Sequence, residues 1–385
     1  MTLGVLATHP IQYQAPLYRA LARELDLHVY FAHRQTAEGQ AAAGFGVPFE
    51  WDVPLTDGYP HTFLDNRSRR PGTGTFGGCD TPGIADVVRA GRFDAFLTTG
   101  WNTRSHWQAM TACWRTGTPL LVRGDSHLGT PRSAAKRWAK EVAYRAFIPR
   151  FDAYLIVGER AREYFRHYGA DTARMHFAPH FVDAEYFRSR AAGADRATLR
   201  GRYGLGPDAR VVLFAGKFTD VKRPTDFVEA VAAVARSEGG VEGLMVGDGP
   251  LRREVEAAIA RMGAPVRLAG FLNQSEMPGA YAASDAIALP SASETWGLVV
   301  NEAMACGLPA AVSDAVGCAP DLVDEGVTGT TYPAGGRARA LTDALRRLLP
   351  LIGSSTTRSA LGEKMERYSL GQAVAGVVGA VRAVS

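Results

Sequence analysis

In the stretch SETWGLVVNEAMACGLP, Ser293 to Pro309, Glu294 and Glu302 stand in a run that is otherwise apolar and closes on glycine and proline. On one continuous helix they would lie about 80° apart in azimuth and roughly 12 Å apart along the axis, too far to grip one small group. The preceding AIALP reads as a strand and Ser291 to Glu294 as a loop, with a helix starting near Gly297. Glu294 then hangs over the helix start while Glu302 lies more than a turn inside. The amides of Gly297, Leu298 and Val299 would be free, and such amides with the helix dipole favour a phosphate. A carboxylate accepts two hydrogen bonds from a vicinal diol, which points to sugar hydroxyls. The alternative, two solvated charges flanking a buried helix, fits poorly with the apolar AMACGLP that follows Glu302.

A second group lies in VVLFAGKFTDVKRPTDF. Lys217 follows a strand and Gly216 directly, and Lys222 stands in the next turn. Two ammonium groups at a strand's carboxyl end can hold a diphosphate leaving group, neutralising charge as a metal ion would. Read without context, they are equally a pair of surface lysines. The Gly247-Asp248-Gly249 of LMVGDGPLRREV is a weaker signal, in which a tight turn is the simpler role.

These groups need elements to carry them. LGVLAT, LHVYFA, DAFLTTG, PLLVRGD and DAYLIVG are short buried strands alternating with helical stretches such as YQAPLYRALAREL and SHWQAMTACWRTG. The stretch from Thr56 to Gly83 is rich in Gly and Arg and shows no strand. After a polar segment over 185–208, the alternation resumes with RVVLFAG, EGLMVGDGP, VRLAG, AIALPS and PAAVSDA. The expected architecture is α/β, with two doubly wound Rossmann-like domains around a central cleft. The expected boundaries are 1–184, a linker over 185–208, 209–368, and a helix over 369–385 that packs back on the first domain.

Composition narrows the classes. Hydrophobic residues at 46% and charged residues at 21% suit an ordinary globular chain. The net charge of +4, from 43 basic and 39 acidic residues, argues against a general nucleic-acid binder. Cys79, Cys113, Cys306 and Cys318 have no CxxC spacing, which excludes a disulfide framework or a zinc site and suits a reducing compartment. The N-terminus has neither a basic n-region nor a long apolar run, so a cytoplasmic location is expected.

From about Val211 to Gly329 the sequence resembles the donor domain of retaining glycosyltransferases of family 4, which have the GT-B fold. The resemblance rests on FAGKFTDVKRP, VGDGP, LAGFLNQSEMPGAYAASD, PSASETWGLVVNEAMACGLP and the Gly-Val-Thr-Gly after Asp324-Glu325, in that order. It implies that Glu294 meets the donor sugar, Glu302 the ribose, and Phe271-Leu272 the base. Gly216, Lys217, Lys222, Gly247 and the amides of Gly297, Leu298 and Val299 would surround the diphosphate. Lys217 stands where arginine is commoner in the family. No metal or other cofactor is implied, and the donor would be a nucleotide diphosphate sugar, UDP-sugar being favoured.

THPIQYQAPLYR, TTGWNTRSHWQA and LLVRGDSHL resemble a bacterial subgroup of glycan and natural-product pathways. THPIQYQAPL replaces the Gly-Gly loop common after the first strand in the family. His9, Gln12, Tyr13 and Gln14 leave that strand and are expected at the acceptor, as are Trp101, Asn102, Arg123 and Ser126. The family places a histidine or a His-Asp pair beside the reacting sugar, and Asp125 and His127 are both candidates for it. RSAAKRWAKEVAYRAFIPR, Arg132 to Arg150, has six basic residues and one acid. It reads as a solvated helix flank or as a membrane-surface or lipid-linked-acceptor face.

The expected reaction is a retaining glycosyl transfer to a small-molecule, glycan or lipid-linked hydroxyl acceptor by a monomer or homodimer. A nucleotide-sugar epimerase or phosphorylase on the same fold, and a non-catalytic nucleotide-sugar-binding protein, are the competing readings.

Overall fold

The computed structural model describes residues 1–41, 47–129 and 133–385, the side chains of 134–137 excepted. The chain forms two compact units. One comprises Met1–Thr36, Pro54–His180 and Leu370–Ser385, the other Ala37–Val53 and Phe181–Ser369.

The first unit is built on strands β1 (Thr2–Ala7), β2 (Asp26–Phe31), β3 (His61–Phe63), β4 (Ala95–Thr98), β5 (Leu120–Gly124), β6 (Ala153–Ile156) and β7 (Met175–Phe177). They form one parallel sheet in the order β3-β2-β1-β4-β5-β6-β7. β1, β4 and β6 are near-continuous apolar runs because helices cover both faces of the sheet. β3 departs from this, an edge strand of three residues inside the Gly- and Arg-rich stretch that shows no strand in the sequence. Helix Leu370–Val384 packs on β6, β7 and helix Ala15–Glu24, all within this unit.

The second unit holds β8 (Arg210–Ala215), β9 (Val241–Val246), β10 (Val266–Gly270), β11 (Ala286–Leu289), β12 (Ala310–Ser313) and β13 (Gly329–Tyr332). Their order is β10-β9-β8-β11-β12-β13, again parallel. The core under this sheet gathers Phe214, Phe218, Phe227, Val231 and Met245 with Leu341 and Leu345. Helix Pro224–Glu238 supplies Phe227 and Val231, starting on a proline whose missing amide costs nothing in the first turn.

Two boundaries differ from the sequence reading. The segment 185–208, expected as a linker, carries helices Ala184–Ala192 and Arg196–Tyr203, which pack on helix Met277–Ala283 of the second unit. Arg200 anchors the second of these helices, donating to the Ala283 carbonyl at 3.1 Å and to Asp285 at 2.7 Å. The segment Ala37–Val53 groups with the second unit, although the strands on either side of it in the sequence belong to the first.

Candidate functional site

In the second sheet the strand order reverses between β8 and β11, and ligands of open α/β sheets bind at the carboxyl ends beside such a switch point. The loops leaving these two strands carry Gly216, Lys217 and Lys222 on one side and Ser291 to Gly297 on the other. They are joined by the Ala292 amide, which donates to the Val221 carbonyl at 2.7 Å. Lys222 Nζ donates to the Glu294 carboxylate, and both side chains are largely buried. Burial, with the charge of Lys217 second, lowers the Lys222 ammonium to about 8. Burial also lowers Lys217.

Glu294 is held from behind as well. Its amide donates to the Ala315 carbonyl and its carbonyl accepts from Gly317. A Cβ on Gly317 would fall 1.8 Å from the Thr295 carbonyl oxygen, so only glycine permits this approach. Helix Leu298–Ala305 then begins behind Gly297, whose φ is 102°, and no side chain caps it. Its first amides, at Leu298 and Val299, lie at the start where an anion is favoured.

Glu302 lies inside the helix and is only 9% exposed. The Tyr281 hydroxyl donates to it at 2.6 Å, and the Gln274 side chain donates too. Burial pushes the Glu302 carboxyl up to about 7 although both hydrogen bonds pull it down. Gln274 belongs to the turn after β10 that also holds Phe271 and Leu272, both half-buried. Gly247 ties this turn to β9 through its amide, which donates to the Gly270 carbonyl at 2.8 Å. Lys222 and Glu294 are thus in direct contact, while Glu302 is a separate, buried carboxyl.

In the first sheet the order reverses between β1 and β4. The loop after β1 places Tyr13 edge-on to His180, with ring centroids 6.3 Å apart. Burial first, then the charge of Asp125, pushes the Tyr13 phenol up to about 12. Arg123, at the end of β5, is buried and donates to the Pro179 carbonyl at 2.9 Å, while its Nε finds no hydrogen-bond partner. His180 Nε2 lies 3.9 Å from Asp125. Burial and the nearby Arg123 hold His180 well below the usual imidazole range, so this contact is not an ion pair. Gln14 accepts from the Tyr18 hydroxyl at 3.0 Å, and Gln12 Oε1 is buried without a partner. His9 meets Thr8 Oγ1 at 3.0 Å, and burial lowers its imidazole to about 4, the charge of His33 adding to it.

Other expected residues fall apart from this group. Trp101 packs among Tyr144, Phe147, Phe151, Tyr164 and Phe165, and its Nε1 donates to the Tyr144 hydroxyl at 3.0 Å. Its ring therefore serves packing, and an exposed Asn102 is left at the loop surface. His127 is buried, Ser126 half-buried. In the basic stretch, Arg132 lies outside the described residues. Helix Ala134–Phe147 shows Trp138 72% and Val142 56% exposed, with Lys140 Nζ 4.6 Å from the Tyr164 ring centre.

The sequence reading missed Tyr281, Gln274 and His180. A tyrosine inside the otherwise small-residue run PGAYAAS was the available signal for the first; no pattern marked the others.

Two doubly wound parallel units of this order define the GT-B fold. A family model described as "Glycosyl transferase 4-like domain" matches residues 10–180, and one described as "Glycosyl transferases group 1" matches 209–350. The two matches together span most of the chain, which carries the paired domains of the family 4-like glycosyltransferases. It is 29% identical over 241 residues to the alpha-D-kanosaminyltransferase of Streptomyces kanamyceticus, covering 62% of this chain and 61% of that protein. It is 31% identical over 290 residues to the D-inositol 3-phosphate glycosyltransferase of Mycobacterium bovis, covering 72% of this chain and 56% of that one. The chain thus spans little more than half the length of these relatives. The crystal structure of Anabaena HepE in complex with UDP superposes with a TM-score of 0.73 at 18% identity, covering 99% of this chain and 100% of that one. Among the described residues no helix is long and apolar enough to cross a membrane.

Proposed function

We propose that the chain is a retaining glycosyltransferase that moves a sugar from a nucleotide diphosphate sugar, with UDP-sugars favoured, to a hydroxyl acceptor. The observation that carries this reading is the convergence, at one switch point, of Lys217, Lys222, Glu294 and an uncapped helix start. The family matches and the UDP held by HepE support it.

Lys217, Lys222 and the amides of Gly297 to Val299 hold the diphosphate, and Glu294 takes the sugar hydroxyls. Glu302, supported by Tyr281 and Gln274, accepts from the ribose diol. The bond between the anomeric carbon and the diphosphate oxygen breaks, and the acceptor oxygen bonds to that carbon on the same face. The acceptor's proton passes to the departing phosphate, so neither a metal nor a protein base is required. Lys222, already against Glu294, neutralises the charge growing on the leaving group. Tyr13, Arg123, Asp125 and His127 of the first unit select the acceptor. Helix Ala134–Phe147, with Trp138 exposed beside basic residues, rests on an anionic membrane surface or a lipid-linked acceptor.

Thermal-shift measurement against a panel of nucleotide sugars tests the donor. A ligand at 100 times its Kd stabilises by about 2.7 kcal/mol and raises Tm. A panel in which no nucleotide sugar raises Tm would refute the proposal, and binding without slow donor hydrolysis or transfer would favour a binding protein.

A further inference from the structure

The segment Ala37–Val53 groups with the second unit, and its last residues grip one turn of that unit. The Asn273 side chain donates to the Glu50 carbonyl at 2.7 Å. The Ser275 amide donates to Asp52 Oδ1 at 3.2 Å, and its hydroxyl donates to the same carboxylate. Phe49 packs on Phe271 with ring centroids 4.5 Å apart, and Trp51 meets Phe49 edge-on at 5.0 Å. Between the two gripped residues stands Gln274, whose side chain instead donates to Glu302. The turn therefore has two faces. Asn273 and Ser275 take hold of the arm, and Gln274 takes hold of the buried carboxyl.

We propose that the arm Val47–Val53 is a working part of the nucleotide site, with Phe49 and Asp52 as positioning residues for the nucleoside end of the donor. This rests on the reading of Glu302 and Phe271 as the ribose and base contacts. Asp52 fixes the turn that aims Gln274 at Glu302, and Phe49 fixes the ring of Phe271. The contacts of Phe49 and Asp52 with Phe271 and Ser275 are to the turn after β10, not to the loop after β8 that carries the lysines. The arm should therefore sense the nucleoside and be indifferent to the phosphates. Its side chains are half-buried or exposed, so trimming them spares the core.

The test is calorimetric titration of the full chain, unaltered and as Phe49→Ala, Asp52→Ala and Asp52→Asn, with UDP, GDP, ADP and inorganic pyrophosphate. For the nucleotide that the unaltered chain binds tightest, Kd should weaken about tenfold in Phe49→Ala and Asp52→Ala, the scale of one lost ring contact or supporting hydrogen bond. Asp52→Asn, which keeps one acceptor oxygen, should recover part of that loss. Pyrophosphate affinity should stay within about twofold. Unchanged nucleotide affinity, or equal losses for nucleotide and pyrophosphate, would overturn the inference and leave the donor assignment standing. An unaltered chain that binds none of the three nucleotides would overturn both.

Discussion

Lys222→Ala removes one positive charge where the leaving group must gather negative charge. At a separation of about 4 Å and an effective dielectric of about 20, a pair of unit charges is worth about 4 kcal/mol. Lys217 remains nearby and some solvent reaches the site, so the net loss should fall nearer that of one oxyanion-hole donor, about 10²–10³ in kcat. Glu294 would also face the incoming diphosphate without its partner, weakening donor binding further. Hydrolysis of the donor, followed as release of the nucleoside diphosphate, reads leaving-group departure without needing the acceptor. The pH profile adds an independent mark. Lys222 carries its proton below about 8, so turnover should fall as pH rises through that value. Lys222→Arg keeps the charge at any working pH and should move this alkaline limb upward. A Lys222→Ala variant with kcat within about threefold of the unaltered chain would refute the leaving-group role.

Glu302 binds its proton up to about 7 in the fold against 4.5 ordinarily, so folding stability falls as pH climbs through that window. Above it the buried charge costs roughly 3 kcal/mol. Glu302→Gln should raise Tm clearly at pH 8 and hardly at pH 5, while weakening nucleotide binding; an equal Tm change at both values would contradict this. Gly317→Ala should destabilise by about 1–3 kcal/mol and lower donor affinity, because the loop carrying Glu294 must retreat from the new methyl; unfolding titrations and donor binding read the two effects. Chelator should leave turnover intact, and a loss restored by magnesium or manganese would count against a metal-free transfer.

Much of the architecture was legible because parallel strands buried on both faces write themselves as short apolar runs. The runs VVLFA and AIAL lie at the positions of β8 and β11. β3 and β13 escaped notice: His61–Phe63 is a half-buried edge strand, and Gly329–Tyr332 is two threonines between a glycine and a tyrosine. The start of the helix behind Gly297 was readable, since the loop and glycine before it break the apolar run. The pairing of Lys222 with Glu294 was not, because local spacing says nothing about which side chains two strand-end loops turn toward each other. Tyr281 and Glu302 meet across separate helices, and no local pattern marks His180. Trp101 shows the converse, an aromatic at a strand end that looked ligand-facing and is taken up by five neighbouring rings.

Because Ala37–Val53 and Phe181–Ser369 make one compact unit, the half that carries Lys222, Glu294 and Glu302 is not a single stretch of sequence. A chimera that exchanges only the residues after His180 with those of a relative would graft a foreign turn beneath a native arm. The bonds from Asn273 and Ser275 to Glu50 and Asp52 would then depend on chance agreement between two lineages. Exchange of donor preference should succeed only when the arm travels with the turn it holds, and with Leu370–Ser385 left to its original host.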